Sequence, residues 1–302
     1  MAKLALGTVQ LGMPYGIANV HGKPEQQAAK QILEIVQSHH VAMVDTSPVY
    51  GDSEEIVGQF IETMVQPFQV MTKLPSLQGL GNLTKAELAL HVATLLVESR
   101  ARLKVDQIDY YLIHDERDFV TYGDALLDVL SDLKDQGVIT HLGLSLYSPE
   151  VAIEALRRKA VDAIQVPINI FDHRFEQSGV LRLARSQGVK VFARSIFLQG
   201  LFFLEPEAVG AWLPHGKPPL ERLQALVKAW GLSIEALAIC FVRDHPDIDT
   251  LIIGMETLEQ AARNVMLFEH PALAEELRAA LCHAFADVHP LVVNPSLWKL
   301  PS

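Results

Sequence analysis

Short apolar runs alternate along the chain with longer stretches whose apolar residues recur every three or four positions. The short runs are LALGT (4–8), AMVD (42–45), FQVMTK (68–73), IDYYLIH (108–114), THLGLS (140–145), DAIQV (162–166), KVFARS (190–195) and TLIIG (250–254). Each has the length of a strand, and their near-continuous apolar character fits strands covered on both faces. The longer stretches include EQQAAKQILEIVQSH (25–39), KAELALHVATLLVESRARL (85–103) and YGDALLDVLSDLKDQG (122–137). Their spacing is that of helices with one apolar face. Helix starts are legible at Asp52 or Ser53 before EEIVGQFI, at Thr84 before KAEL, and at Ser148-Pro149-Glu150 before VAIEAL. Small polar side chains there can accept from free backbone N–H groups, and proline fits the first helical turn. Lys134 and Gly137 mark a helix end.

Eight strands alternating with helices predict one parallel closed sheet, an α/β fold of the (β/α)8 TIM-barrel type. The expected organisation is a single domain over 1–302, with long substrate loops and a C-terminal tail. An open, doubly wound sheet is the alternative, but its usual GxGxxG after the first strand is absent. The stretch 197–219, FLQGLFFLEPEAVGAWLPHGKPP, reads as a long irregular loop, and loops of that length are more often functional than spacers. The tail VHPLVVNPSLWKLPS (288–302) is expected to wrap the surface.

Composition narrows the function. Of 302 residues, 49% are hydrophobic, enough for a sizeable core. No uninterrupted apolar run reaches the roughly 18 residues of a membrane helix, and the N-terminal MAKLALGTVQLG lacks an apolar signal core. A cytoplasmic protein that engages no membrane is expected. The net charge of -11 argues against nucleic acid as partner, because phosphate binding needs clustered Lys and Arg. The two cysteines, Cys240 and Cys282, sit in apolar-rich stretches and are expected as buried free thiols. No HxxxH or CxxC frames a metal site among the 12 histidines, so no metal is expected. Nothing in the sequence sets an oligomeric state.

In a β/α barrel the chemistry lies at the C-terminal ends of the strands. Three successive strands end on ionisable groups, Asp45, Lys73 and His114, and Tyr50 follows the first in MVDTSPVYGDSEE (43–55). Singly, such residues are commonly a helix cap, an extended surface lysine or a polar edge. Their coincidence at one barrel end is much harder to reach by chance.

Asp45-Thr46, Tyr50-Gly51, Glu54, Thr72-Lys73 and Ile113-His114 together resemble the aldo-keto reductase superfamily. The resemblance runs from Leu6-Gly7-Thr8 through Gly143-Leu144-Ser145, Ile164-Gln165, Asn169 and Gln199-Gly200-Leu201 to Ile253-Gly254 and Asn264. It implies interconversion of an aldehyde or ketone with its alcohol by NADP(H) or NAD(H). In that reading Tyr50 is the general acid or base, Lys73 lowers its pKa, Asp45 holds Lys73, and His114 bonds the substrate oxygen and helps to shuttle the proton. The resemblance assigns the nicotinamide carboxamide to Ser145 and Gln165. Arg194, where the family commonly has an aromatic residue, is expected beneath the nicotinamide ring. Ser195, Phe197, Gln199 and Gly200 belong to the run expected over the pyrophosphate. Gly7 and Thr8 at the barrel mouth, and Gly254, Glu256, Gln260, Arg263 and Asn264 after the last strand, complete the expected cofactor contacts. Glu256 stands where basic side chains commonly hold a 2′-phosphate, which tilts the expectation toward NAD(H).

The expected partner is a small carbonyl or alcohol, and the run Asp115, Glu116, Arg117, Asp118 leans toward a polar one such as a sugar. Met13-Pro14-Tyr15, Val20-His21 and parts of 197–219 are the other expected substrate-facing segments. Two other classes stay open at this point: a lyase or aldolase with a Schiff base on Lys73, and a non-catalytic, cofactor-binding regulatory barrel.

Overall fold

The protein is described by a computed structural model over residues 2–64 and 67–300. Eight strands form one closed barrel in sequence order: β1 (Lys3–Gly7), β2 (Met43–Asp45), β3 (Gln69–Leu74), β4 (Ile108–Ile113), β5 (Ile139–Ser145), β6 (Ala163–Pro167), β7 (Lys190–Arg194) and β8 (Thr250–Gly254). Every neighbouring pair is parallel, and β8 closes on β1 with Gly7 opposite Gly254. Each predicted strand is present, with every end within one residue of the expected position. Helices Gln26–Ser38, Ser53–Ile61, Lys85–Leu103, Glu116–Asp135, Pro149–Arg158, Val180–Ser186 and Ile234–Arg243 are among those in the crossovers, and Leu258–Phe268 follows β8.

The anticipated caps form at Thr84 and Ser148, whereas Asp52 precedes its helix without a side-chain cap bond. Thr84 accepts from the Glu87 N–H while the Glu87 carboxylate accepts from Thr84, and the Ser148 hydroxyl accepts from the Val151 N–H. The helix over 116–135 bends at Gly123, whose φ of 50° lies outside the helical range.

Alternation of side chains along each strand divides the apolar residues into two sets. One cluster packs strands against helices. A second, small one comprises Ala5, Met43, Met71, Tyr110, Leu112, Ala163, Phe192 and Ile252, and fills the barrel interior. Two residues toward the C-terminal end from seven interior positions stand Gly7, Asp45, Lys73, His114, Gln165, Arg194 and Gly254. The period of two therefore raises a polar layer directly above the apolar plug.

The segment 197–219 is not the irregular loop expected. It folds into the 3-10 turn Leu198–Phe203, the short helix Pro206–Gly210 and the turn Pro214–Gly216 before the helix Lys217–Trp230. Its apolar side chains Leu198, Leu201, Phe202 and Val209 are buried, and that burial stabilises the turns. The tail packs on this segment: Trp298 meets Trp212 edge to face, and Trp298 Nε1 donates to Leu291 O at 2.9 Å. Cys240 is buried as expected, whereas Cys282 is only half-buried at the edge of the helix Glu275–Ala284. Among the described residues no single helix is long and apolar enough to cross a membrane.

Candidate active site

Lys73 is fully buried at the top of β3. Its Nζ donates to Asp45 Oδ1 at 2.7 Å and to Thr46 O at 2.8 Å. Gln165 Nε2 donates to the same Asp45 oxygen at 2.8 Å, so residues from β2, β3 and β6 meet at one carboxylate. Such a charged pair persists in a dry interior because each partner satisfies the other. Lys73 Nζ lies 4.8 Å from the centroid of the Tyr50 ring, and His114 stands edge-on to that ring at 5.8 Å. The structure thus brings together the four residues Asp45, Tyr50, Lys73 and His114.

Local sequence explains how Tyr50 arrives there. The turn after it needs Gly51, whose φ is 61°, and a Cβ at that position would sit 2.2 Å from Gly12 O. A Cβ on Gly12 would strike Tyr50 O at 1.8 Å. Two glycines thus let the loop after β2 settle on the short helix Val9–Gly12. Ser47 Oγ lies 3.3 Å from His114 Nδ1, a contact the sequence reading missed although Ser47 stands inside the quoted motif.

Burial dominates the electrostatics. It lowers the Lys73 ammonium from its usual range, and Asp45 opposes that shift. It pushes His114 down to about 3, assisted by the charges of Lys73 and Arg194, so the imidazole is neutral throughout the physiological range. Tyr50 is raised rather than lowered, first by burial and then by the Asp45 charge. The expected lowering by Lys73 does not prevail, because Asp45 compensates that ammonium at contact distance. The cation that pulls the phenol down is Arg194.

Arg194 was expected flat beneath a nicotinamide. One face of its guanidinium lies on Tyr147, 4.1 Å above the ring centroid, with Leu146 O and Ser195 Oγ at its edge at 3.3 Å. Tyr147 is a second residue that the sequence reading missed; its position directly after the strand-end Ser145-Leu146 was the available signal. Tyr15 completes the rim: burial, Tyr147 and Tyr50 raise its phenol to about 12, against the pull of Arg194.

The acids of the run after His114 have protein partners, and Glu116 also borders the open cavity beside Tyr147. Asp115 caps its helix and pairs with Arg117, Glu116 accepts from the N–H groups of Tyr147 and Ser148, and Asp118 accepts from the Leu77 N–H. These acids begin a helix, where free N–H groups attract them. An open cavity of about 640 Å3 adjoins Tyr147, with Ser148, Arg174, Gln177 and Asn294 among its lining, but none of the four catalytic candidates borders it.

The remaining positions surround the same barrel end. Ser145 is buried opposite Gln165. Gly7 is closely packed, since a Cβ there would lie 3.1 Å from Ile252 Cγ2. The Thr8 hydroxyl is engaged by Asp45 O and Ser53 Oγ at 3.0 and 2.6 Å. Asn169 Nδ2 donates to Ser195 O at 3.0 Å. Ser195, Leu198 and Gln199 hold φ values of 61°, 48° and 54°, uncommon for residues with side chains and costly in the left-handed region. Gly200 follows at 92°, and a Cβ there would lie 2.8 Å from Ala18. Phe197 packs against Phe203. After β8, Gln260 donates to Glu256 Oε1 at 2.8 Å and accepts from the Glu256 N–H at 3.0 Å. Arg263 is drawn to Glu235 at 3.1 Å, and Asn264 is buried.

Residues 3–281 match the profile of the Aldo/keto reductase family. The chain belongs to that family. It is an NAD(P)H-dependent oxidoreductase of the carbonyl and alcohol interconverting class. An oxidoreductase of Bacillus subtilis, YqkF, is 26% identical over 96% of this chain and 98% of its own. The NADH-specific methylglyoxal reductase of Escherichia coli is 26% identical over 88% of this chain and 89% of its own. Among solved structures, the aldo-keto reductase AKR11C1 of Bacillus halodurans, in its holo form, superposes with a TM-score of 0.76 at 24% identity, covering 97% and 95% of the two chains. Membership makes this aldo/keto reductase an enzyme, against the regulatory-barrel alternative. Against the Schiff-base alternative stands the burial of Lys73, whose nitrogen is held by Asp45 and Thr46.

Proposed function

We propose that this aldo/keto reductase interconverts a small polar carbonyl compound and its alcohol with NAD(H), using Tyr50 as proton donor in reduction and acceptor in oxidation. The observation that carries the reading is the buried Asp45–Lys73 pair beneath the Tyr50 ring, with neutral His114 at its edge. A bound nicotinamide supplies or accepts the hydride. Tyr50 stays protonated at neutral pH, the form needed to give a proton to the carbonyl oxygen. Lys73 offsets the charge of the phenolate left behind, and Asp45 keeps Lys73 charged and oriented. With Ser47 at Nδ1, His114 has Nε2 free to position the substrate oxygen. A neutral imidazole orients that oxygen, and the proton comes from Tyr50.

The residues present fit the cofactor. Gln165 uses its amide nitrogen on Asp45, which leaves its carbonyl oxygen for the carboxamide, beside Ser145. Arg194 keeps one guanidinium face not taken by Tyr147. Ser195 to Gly200 form a strained segment of the kind found where backbone clamps a ligand. Gly7 and Thr8 border the nicotinamide end, and Gly254, Glu256, Gln260, Arg263 and Asn264 the adenosine end. Three features favour NAD(H) over NADP(H). Glu256 sets a carboxylate where a 2′-phosphate would need a cation, and Gln260 already satisfies the Glu256 N–H. Arg263 is paired with Glu235. A relative bears an NADH-specific name. A polar substrate agrees with the Tyr15, Tyr147 and Arg194 rim and with relatives named for methylglyoxal, L-galactose and D-arabinose.

Replacing Tyr50 by Phe tests the reading. Turnover of good substrates should be lost while NADH binding, followed by fluorescence, stays near that of the parent. Turnover within a few-fold of the parent would remove Tyr50 from its role.

A further inference from the structure

The charges around the site do not cancel. Lys73 is matched by Asp45, and the imidazole of His114 is neutral. Arg174 is held bidentate by Asp172, at 2.8 and 2.7 Å. Asp115 is taken by Arg117 and Ser76. Glu116, behind Tyr147, is engaged by two backbone N–H groups and forms no ion pair with Arg194. What remains is Arg194. Its hydrogen-bond partners are a hydroxyl and a backbone carbonyl, both at the long distance of 3.3 Å. A guanidinium carries five donors in a planar fork, so most of its N–H capacity is unused. It is half-buried, braced on the Tyr147 ring, and its field reaches Tyr15, Tyr50, Lys73 and His114. A braced, partly desolvated guanidinium without a carboxylate partner is the arrangement proteins use to seize planar or tetrahedral oxyanions.

We infer that the substrate of this enzyme carries an anionic group, a carboxylate or a phosphate, which Arg194 binds beside the carbonyl that Tyr50 protonates. The inference rests on the reading of Tyr50 as proton donor and adds the substrate class to it. A neutral aldehyde leaves the cation unmatched, so its anionic counterpart is the preferred substrate. The anion also compensates the repulsion between Arg194 and an oxidised nicotinamide, so substrate charge and cofactor charge are coupled at one residue.

Two matched pairs separate the sources of the anion: succinic semialdehyde against butyraldehyde, and glyceraldehyde phosphate against glyceraldehyde. At saturating NADH, kcat/KM should favour the anionic member of at least one pair by about tenfold or more. Arg194→Gln should reduce that ratio toward unity, and Arg194→Lys, which keeps the charge without the planar fork, should retain part of it. The pair that responds identifies the anion. A binding arm is independent of turnover: succinate and inorganic phosphate are titrated into the complex with NADH, followed by fluorescence. One of them should bind the parent and lose about tenfold or more in affinity in Arg194→Gln. Tyr50→Phe should abolish turnover and keep this binding, so failure of the Tyr50 reading shows as turnover in that variant and leaves the anion arm intact. The inference is overturned if neither anion binds the parent, if binding is the same in Arg194→Gln, or if that variant loses anionic and neutral substrates in equal proportion.

Discussion

Replacing Lys73 by Met isolates the energetics of the polar layer. The change keeps an unbranched side chain of similar length, so packing above Met71 is largely preserved. What goes is the ammonium, with its bonds to Asp45 at 2.7 Å and Thr46 O at 2.8 Å. Asp45 is then left buried with Gln165 as its remaining side-chain donor. Removing one partner of a buried pair typically costs about 3–5 kcal/mol, because the other charge loses its compensation without regaining water. Lys73→Met should therefore unfold at clearly lower urea concentration, with an unchanged slope. The sharper test is the double variant. Asp45→Asn combined with Lys73→Met removes both members of the buried pair, so it should be more stable than Lys73→Met alone even though it carries an extra mutation. Urea titrations of the parent, both single variants and the double variant give the coupling energy. Losses that simply add, or a Lys73→Met variant within about 1 kcal/mol of the parent, would refute the account of Lys73 as a compensated buried charge.

In activity, the Tyr50→Phe and Lys73→Met losses should not multiply, since the two act as one unit; single-turnover rates of the double variant near those of either single one are expected. His114, depressed to about 3 when folded, binds its proton more readily when unfolded, so it contributes stability at neutral pH that is lost as pH falls from about 6.5 toward 3. His114→Gln should accordingly lose less stability than the parent between neutral and mildly acidic pH, measured by urea midpoints; equal losses would show that another group dominates. Steady-state kinetics with both reduced cofactors should show weak preference or a tilt to NADH. A preference for NADPH above about a hundredfold, roughly 2.7 kcal/mol, would show that Glu256 lies away from the 2′ position.

The strands, their number and the parallel arrangement follow from local information: eight short apolar runs alternating with amphipathic stretches, with caps at Thr84 and Ser148. The period of two also makes the layer above the interior legible, since Asp45, Lys73, Gln165 and Arg194 each stand two residues beyond an inward apolar side chain. Which groups in that layer remain free is a different matter, because partners are chosen across the barrel. Lys73 meets Asp45 from 28 residues away and Gln165 meets the same carboxylate from 120. The acids after His114 read as pocket charges in one dimension; in three they serve a helix start and neighbouring loops. Arg194 reads as a platform for a ring, and only the approach of Tyr147 shows one face already occupied and the charge unmatched. The order of residues determined where ionisable groups stand. Tertiary contact decided which of them are neutralised, since charge compensation depends on distance through space rather than along the chain.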